Sequence, residues 1–131
     1  MILFVDASAM VAVIAREPGC ETLERRMGEA AELLCSPVSV WETVTALCRS
    51  HNVDVAVARE RIASFVANFD IRLVEVGSPE SEMALDGYAQ FGKGVRPAGL
   101  NMGDCFAYAC AKTNDARLLY KGDDFARTDL A

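Results

Sequence analysis

Five acidic residues, widely separated along the chain, fall where short apolar segments end or helices begin. Asp6 ends the apolar run ILFV, Asp104 opens the apolar segment CFAYACA, and Glu42 lies near the start of a helix that begins at SP. Asp123 and Asp124 follow the last clear strand, ARLLY. Carboxylates within about 4–6 Å of one another repel, so some must bind protons unless a cation lies between them. Oxygen ligands without nearby Cys or His favour Mg²⁺ or Mn²⁺.

A cation of this kind suits phosphodiester chemistry, because it activates water and stabilises the charge that develops during in-line displacement. Basic residues near the acids are candidates for holding a nucleic-acid backbone, with ordinary solvation as the alternative: Lys93, Arg96, Lys121 and Arg127. His51 is the single histidine, so a metal-independent ribonuclease mechanism that uses two imidazoles is unavailable.

Each acid near a helix start or a turn also has a purely structural interpretation. Asn101 followed three residues later by Asp104 resembles a capping box, and this role is compatible with metal binding. Asp123 and Asp124 lie beside Gly122 and fit a turn.

Glu42 and Asp6 differ in how well a structural interpretation accounts for them. Glu42 lies off the apolar stripe formed by Trp41, Val44 and Cys48, so helical periodicity predicts an ordinary surface residue. Asp6 stands at the end of a buried strand, between two apolar segments, and therefore needs a cation, a hydrogen-bond donor or a proton.

The elements that must position these acids alternate between strands and helices. Strands are predicted at ILFV, around residues 33–35, at IRLVEV and at ARLLY, with helical segments between them. This alternation predicts an α/β sandwich with a largely parallel sheet, in which the functional crevice lies beyond the carboxyl ends of the strands. With 131 residues and no repeat or linker, the whole chain, residues 1–131, is expected to be a single domain.

Composition excludes several classes of protein. The net charge of −6 argues against broad electrostatic adhesion to nucleic acid or to an anionic membrane. No apolar run approaches the roughly 20 residues that span a bilayer, and the apolar N-terminus lacks the basic segment of a signal peptide. Five cysteines without a CxxC pair favour free thiols in a reducing cytoplasm over a zinc site.

Four segments together resemble the successive motifs of PIN-domain ribonucleases, specifically VapC-type toxins: FVDASAMVAVI, SVWETVTAL, GLNMGDCFAYACAK and LLYKGDDFARTDL. The resemblance implies a three-layer PIN-like sandwich and a Mg²⁺- or Mn²⁺-dependent endoribonuclease. It also implies a cytoplasmic homodimer that is neutralised by a cognate VapB-type antitoxin. The substrate would be single-stranded or loop RNA, cleaved through metal-activated water.

The resemblance also implies roles for individual residues. Asp6 and Asp104 match the principal metal-binding acids, and Glu42 matches the acid of the WE motif. Many family members carry Thr-x-Asp after the last strand, whereas this chain has Tyr-Lys-Gly there. Asp124 is taken as the substitute, with Asp123 as the alternate. Ser8 matches a small hydroxyl residue that orients Asp6 or a metal-bound water.

Two other classes of function remain for comparison. A haloacid-dehalogenase-type phosphatase needs a second Asp two residues after the first, where this chain has Ser8. A receiver domain needs an adjacent acidic pair after its first strand, and Asp6 stands alone. A catalytically degenerate PIN domain that only binds RNA or protein is the remaining alternative.

Overall fold

The computed structural model describes residues 1–94 and 99–130, and contains a four-stranded parallel sheet with the strand order β3-β2-β1-β4. The strands are β1 (Ile2–Val5), β2 (Glu32–Cys35), β3 (Ile71–Leu73) and β4 (Arg117–Leu119). All four were predicted from the sequence, although β3 is shorter than the alternating segment IRLVEV suggested. Arg96, one of the predicted backbone-binding residues, lies outside the described residues.

Helices connect and cover the strands: α1 (Ala7–Ile14), α2 (Cys20–Glu29), α3 (Pro37–Ser50), α4 (Val55–Asn68), α5 (Ser78–Phe91) and α6 (Met102–Thr113). Their starts follow local capping chemistry. Ser36 caps α3, the Asp54 carboxylate accepts a hydrogen bond from Val57 N at 2.9 Å, and Asn101 caps α6. These caps satisfy backbone N–H groups that have no partner in the first helical turn.

Alternate residues of each strand face opposite helical layers. Leu3 and Val5 pack with helices α1 and α2 in one apolar cluster, which also contains Phe65 of α4. Phe4 and Leu34 belong to a second cluster, formed with α5 and α6 on the other face. The sheet is therefore covered on both faces, which explains why its central strands read as continuous apolar runs. The predicted three-layer α/β sandwich is confirmed.

The strand order creates a switch point at one end of the sheet. From β1 the chain moves to β2 and β3, and then returns to β4 on the opposite side of β1. The connections therefore diverge at the carboxyl ends of β1 and β4, where open α/β sheets bind their ligands. Asp6 N donates a hydrogen bond to Leu119 O at 2.9 Å and ties these two strand ends together.

All five cysteines carry free thiols, and four of them are buried. Among residues 1–94 and 99–130, no helix is both long and apolar enough to cross a bilayer.

We expect Leu34→Ala to lower the free energy of unfolding by about 2–5 kcal/mol, because it leaves a cavity in the apolar cluster beneath α6. Leu34 is fully buried, whereas Leu73, also in a strand, is 56% exposed. Leu73→Ala is the matched control and should change stability by no more than about 0.5 kcal/mol. Urea denaturation measures both, and equal losses would contradict the assignment of the core.

Candidate active site

Asp6 is held at the end of β1 by a short network of hydrogen bonds. Its Oδ2 accepts from Ser8 N at 3.0 Å and from Ser8 Oγ at 2.6 Å, so Asp6 also caps α1. Ser8 Oγ in turn accepts from Lys121 N at 3.0 Å, in the segment after β4. Ser8 therefore fixes the orientation of Asp6 and links it to the neighbouring strand.

The surroundings of Asp6 oppose its negative charge. The residue is only 5% exposed, and this burial is the main reason that its pKa is raised. The hydrogen bonds from Ser8 act in the opposite direction, and the charge of Asp124 raises the pKa further. Asp6 is thus a buried acid with donors on one side and another acid nearby.

Asp104 forms the predicted capping box at the start of α6. Its backbone N donates to Asn101 Oδ1 at 2.9 Å, and its Oδ2 accepts from Asn101 N at 3.1 Å. Burial raises the pKa of Asp104 to about 6; the bond from Asn101 opposes this rise, and the charges of Asp124 and Asp6 add to it. The capping interpretation is confirmed, and the carboxylate still belongs to the group of mutually repelling acids.

Glu42 reaches the same edge of the sheet from α3. It is half-buried, and its carboxylate lies so close to Gly103 that a Cβ added there would overlap it. Burial, followed by the charges of Asp6 and Asp104, raises the pKa of Glu42 to about 7. The prediction of an ordinary surface position is therefore wrong, because the side chain turns over the start of α6.

The apolar stripe predicted for α3 is also incorrect at Trp41, which is 64% exposed. The buried face of α3 instead carries Ser39, Thr43 and Leu47. Ser39 Oγ donates to Ser36 O at 3.0 Å and Thr43 Oγ1 donates to Ser39 O at 2.7 Å. Because their hydroxyls are satisfied by the helix itself, two polar residues can occupy the inner face and the indole is left outside.

Asp123 and Asp124 are both exposed in the turn after β4. Asp124 is the one whose charge raises the pKa of Asp6 and of Asp104. The carbonyl of Asp123 accepts from Ala126 N at 3.0 Å, as expected for a turn residue. The charge of Asp124 therefore acts on the buried acids, whereas the backbone of Asp123 takes part in the turn.

The predicted basic residues have different surroundings. Lys93 stabilises the charged form of Asp104 and opposes the rise in its pKa. Lys121 Nζ lies 2.9 Å from Glu17 Oε1, so its charge is already partly neutralised. Arg127 is exposed and forms no ion pair within the described ranges.

A cleft of about 840 Å³ opens beside the acids, and its lining includes Ser8, Glu42 and Gly103. Trp41 and Arg49 also line this cleft, although neither was predicted from the sequence to belong to the site. The sequence does contain a pattern that could have suggested them: Trp41, Thr45 and Arg49 are spaced four residues apart, which places them on one face of a helix. Gly103 was missed because the approach of a side chain from another helix leaves no local pattern.

The donor set suits a hard divalent cation, although the side chains are not arranged as a finished metal site. Within the described part of the chain, no three Asp, Glu, Cys or His side chains are close enough to bind one ion as they stand. The acids nevertheless raise one another's pKa, and they offer only oxygen ligands. A hard divalent cation would remove this repulsion, so the chemistry of the donor set fits Mg²⁺ or Mn²⁺.

Comparison with known proteins agrees with the motifs. The sequence profile of the PIN domain family matches residues 3–130. A VapC ribonuclease of Rhizobium meliloti, R02377, is 42% identical over 139 residues, which cover 97% of this chain and 98% of that protein. The ribonuclease VapC of Mycolicibacterium smegmatis is 35% identical over 129 residues, which cover 98% of both chains.

Solved structures show the same fold at lower sequence identity. VapC20 of Mycobacterium tuberculosis, a toxin that cleaves the sarcin-ricin loop, superposes with a TM-score of 0.76 at 19% identity, covering 98% of this chain and 96% of that chain. A chain of VapBC2 from Rickettsia felis, solved with a promoter DNA fragment, gives 0.73 at 14% identity, covering 98% and 94%. The chain described here therefore belongs to the PIN domain family and, within it, to the VapC ribonucleases.

Proposed function

We propose that this chain is a Mg²⁺- or Mn²⁺-dependent endoribonuclease toxin that cleaves single-stranded or loop RNA. The observation that carries the proposal is the approach of three buried or half-buried acids, Asp6, Glu42 and Asp104, to one end of the sheet. Each acid has a raised pKa, and each is affected by the charge of at least one other acid. The charged forms of all three acids are therefore disfavoured, as is typical of functional sites.

Asp6 and Asp104 are the residues that would hold the metal directly, with Asp124 and Glu42 completing the site. When bound, the metal supplies an activated water and neutralises charge that develops on the phosphodiester. It also gives RNA a positive contact on a chain whose net charge is −6.

Neighbouring residues of the chain orient the acids of this site through hydrogen bonds. Ser8 holds Asp6, and Asn101 N holds Asp104, so both carboxylates are oriented before substrate arrives. Glu42 approaches the same site from α3, and burial and the charges of Asp6 and Asp104 disfavour its own negative charge until a cation is bound.

The substrate class follows from the shape of RNA. Catalytic acids at the floor of a cleft cannot easily reach into a stacked A-form helix, which favours single-stranded segments and loops. The relative VapC20 is described as cleaving the sarcin-ricin loop, which is consistent with a loop substrate. The alternative is a degenerate PIN domain that only binds RNA or protein. The filled acidic positions argue against it, and EDTA-sensitive cleavage distinguishes the two.

We also propose the partners that the family implies. The chain would act as a single domain in the cytoplasm, form a homodimer and be neutralised by a cognate VapB-type antitoxin. Structural neighbours include a toxin–antitoxin complex from Klebsiella pneumoniae, with a TM-score of 0.68 at 13% identity. A small upstream open reading frame that encodes a DNA-binding protein would support this pairing.

We expect Asp104→Asn to reduce metal-dependent RNA cleavage by more than about 100-fold, the upper end of losses caused by changes around metal ligands. The fold should survive, because an Asn carbonyl can still accept the capping hydrogen bond from Asn101 N. Cleavage of a panel of structured RNAs measures the effect, and circular dichroism checks the fold.

Asp70→Asn is the control for Asp104→Asn. It changes the net charge equally, and Asp70 is exposed with a φ of 52°, a conformation that Asn readily adopts. This variant should cleave RNA at the wild-type rate. Full activity in a folded Asp104→Asn protein would refute the assignment of the metal site.

We expect Gly103→Ala to reduce RNA cleavage while leaving stability unchanged or slightly higher. Ala is favoured over Gly in a helix by up to about 1 kcal/mol, but the new Cβ must displace the flexible Glu42 carboxylate. Gly28→Ala in α2 is the matched control, since its Cβ would meet nothing within 4 Å. Wild-type cleavage by Gly103→Ala would mean that the position of Glu42 is unimportant.

The raised pKa values predict how stability depends on pH. In the unfolded chain Glu42 and Asp104 titrate near 4.5 and 3.8, whereas in the folded chain their pKa values are about 7 and 6. The folded state therefore loses stability as pH rises from about 4 to 7, and this loss persists above pH 7. Glu17 and Asp129 have lowered pKa values, so their contribution to stability is lost only in more acidic solution.

In EDTA, we expect a higher melting temperature at pH 5.5 than at pH 8. Mg²⁺ should raise the melting temperature more at pH 8, because protonated carboxylates bind metal poorly and a ligand stabilises only the state it binds. Asp104→Asn should reduce both effects. Differential scanning fluorimetry across this range measures them, and a melting temperature that rises steadily from pH 5.5 to 8 in EDTA would contradict the account.

A further inference from the structure

The outer face of α3 carries an aromatic residue and a cation along the wall of the cleft. Trp41, Thr45 and Arg49 follow one another at intervals of four residues and all line this cleft. Because α-helices repeat every 3.6 residues, the three side chains form a row along the helix. Glu42 is the next residue after Trp41, so one end of the row lies beside the acids.

Trp41 is unusual among the exposed apolar residues. Large apolar side chains that are at least half exposed within the described residues are Met1, Trp41, Val55, Leu73, Leu85, Tyr88 and Met102. Among these, only Trp41 and Met102 line the cleft beside the acids. An indole left 64% exposed contributes little to the core, and its flat face is available to a ligand.

Arg49 provides a positive charge that the fold itself does not use. Among the described residues Arg49 forms no ion pair, whereas Lys121, which also lines the cleft, is paired with Glu17. Arg49 and Lys121 are the Lys and Arg residues that line the cleft, so Arg49 is the cleft's unpaired cation within the described part of the chain. The row therefore combines a stacking surface with an unneutralised guanidinium group.

We propose that α3 is the RNA track of this enzyme: Trp41 stacks on a base next to the cleaved phosphate, and Arg49 binds a phosphate further along the strand. The inference rests on the proposed ribonuclease function and names residues that position its substrate. Eight residues of helix span about 12 Å, so the two side chains contact different nucleotides. Stacking on an aromatic ring contributes about 1–3 kcal/mol per base and tolerates any sequence.

RNA is favoured over a protein segment as the occupant because the row is continuous with the acids. The acid Glu42 and Ser8, which is hydrogen-bonded to Asp6, line the same cleft as Trp41 and Arg49. A strand held at the acids therefore has a path along α3. A guanidinium group and an indole match the two chemical parts of a nucleotide, its phosphate and its base.

Steady-state kinetics tests the inference in the intact protein. With a 12-nucleotide single-stranded RNA that the wild-type chain cleaves, we expect Trp41→Ala to raise KM by about 10-fold, equivalent to about 1.4 kcal/mol, with kcat changed by less than about twofold. Trp41→Phe should restore most of the affinity, because a phenyl ring still stacks. Val55→Ala, a truncation of an exposed residue outside the cleft, should match the wild type.

Fluorescence provides a direct readout, because Trp41 is the only tryptophan in the chain. In the Asp104→Asn background, the same RNA should quench the emission of Trp41, whereas an abasic oligonucleotide with the same phosphates should not. Arg49→Ala should reduce the slope of log affinity against log salt by about 0.7, the value for one phosphate contact to a single strand.

The possible outcomes separate this inference from the proposed function. If the wild-type chain cleaves RNA but Trp41→Ala has the same KM and RNA leaves the fluorescence unchanged, the RNA track is wrong and the nuclease assignment stands. That result would leave Trp41 to a protein partner such as the antitoxin. If RNA quenches Trp41 but no divalent metal supports cleavage, the track is supported and the enzymatic proposal fails.

Discussion

Burial of several carboxylates beside one another, near the joined ends of β1 and β4, is the constraint on which the rest of this structure depends. Asp6 and Asp104 are buried and Glu42 is half-buried, and each is destabilised as an anion by its surroundings. Ser8 stabilises the charged form of Asp6, because its hydroxyl donates a hydrogen bond to the carboxylate. The same hydroxyl accepts a hydrogen bond from the backbone N of Lys121. The fold thus holds negative charges where a divalent cation would stabilise them.

The two apolar clusters on either side of the sheet stabilise the fold and so offset the cost of burying these carboxylates. Leu3 and Val5 anchor one face of β1 and Phe4 anchors the other, so the strand that carries Asp6 is fixed from both sides. Gly103 has a complementary role at the start of α6, where the absence of a side chain lets Glu42 approach. The core therefore fixes the backbone of the site, and local hydrogen bonds fix the side chains of Asp6 and Asp104.

The sequence was sufficient to predict most of the fold, because its strands are short apolar runs and its helices have recognisable caps. It also suggested Asp6, Asp104 and Glu42 as candidate site residues, although only the family resemblance assigned a role to Glu42. Helical periodicity failed on α3, where self-satisfied hydroxyls occupy the inner face and Trp41 is exposed. Contacts between distant segments, such as Glu42 with Gly103, depend on tertiary packing and leave no periodic signal.

Direct measurement of metal binding tests the central claim most sharply, since it requires no knowledge of the RNA substrate. Mn²⁺ titrated into the wild-type protein at pH 8 can be followed by the loss of the electron paramagnetic resonance signal of the free ion. We predict saturable binding that Asp6→Asn or Asp104→Asn weakens strongly and that Asp70→Asn leaves unchanged. Equal binding of Mn²⁺ by all four proteins would show that these acids do not share a cation.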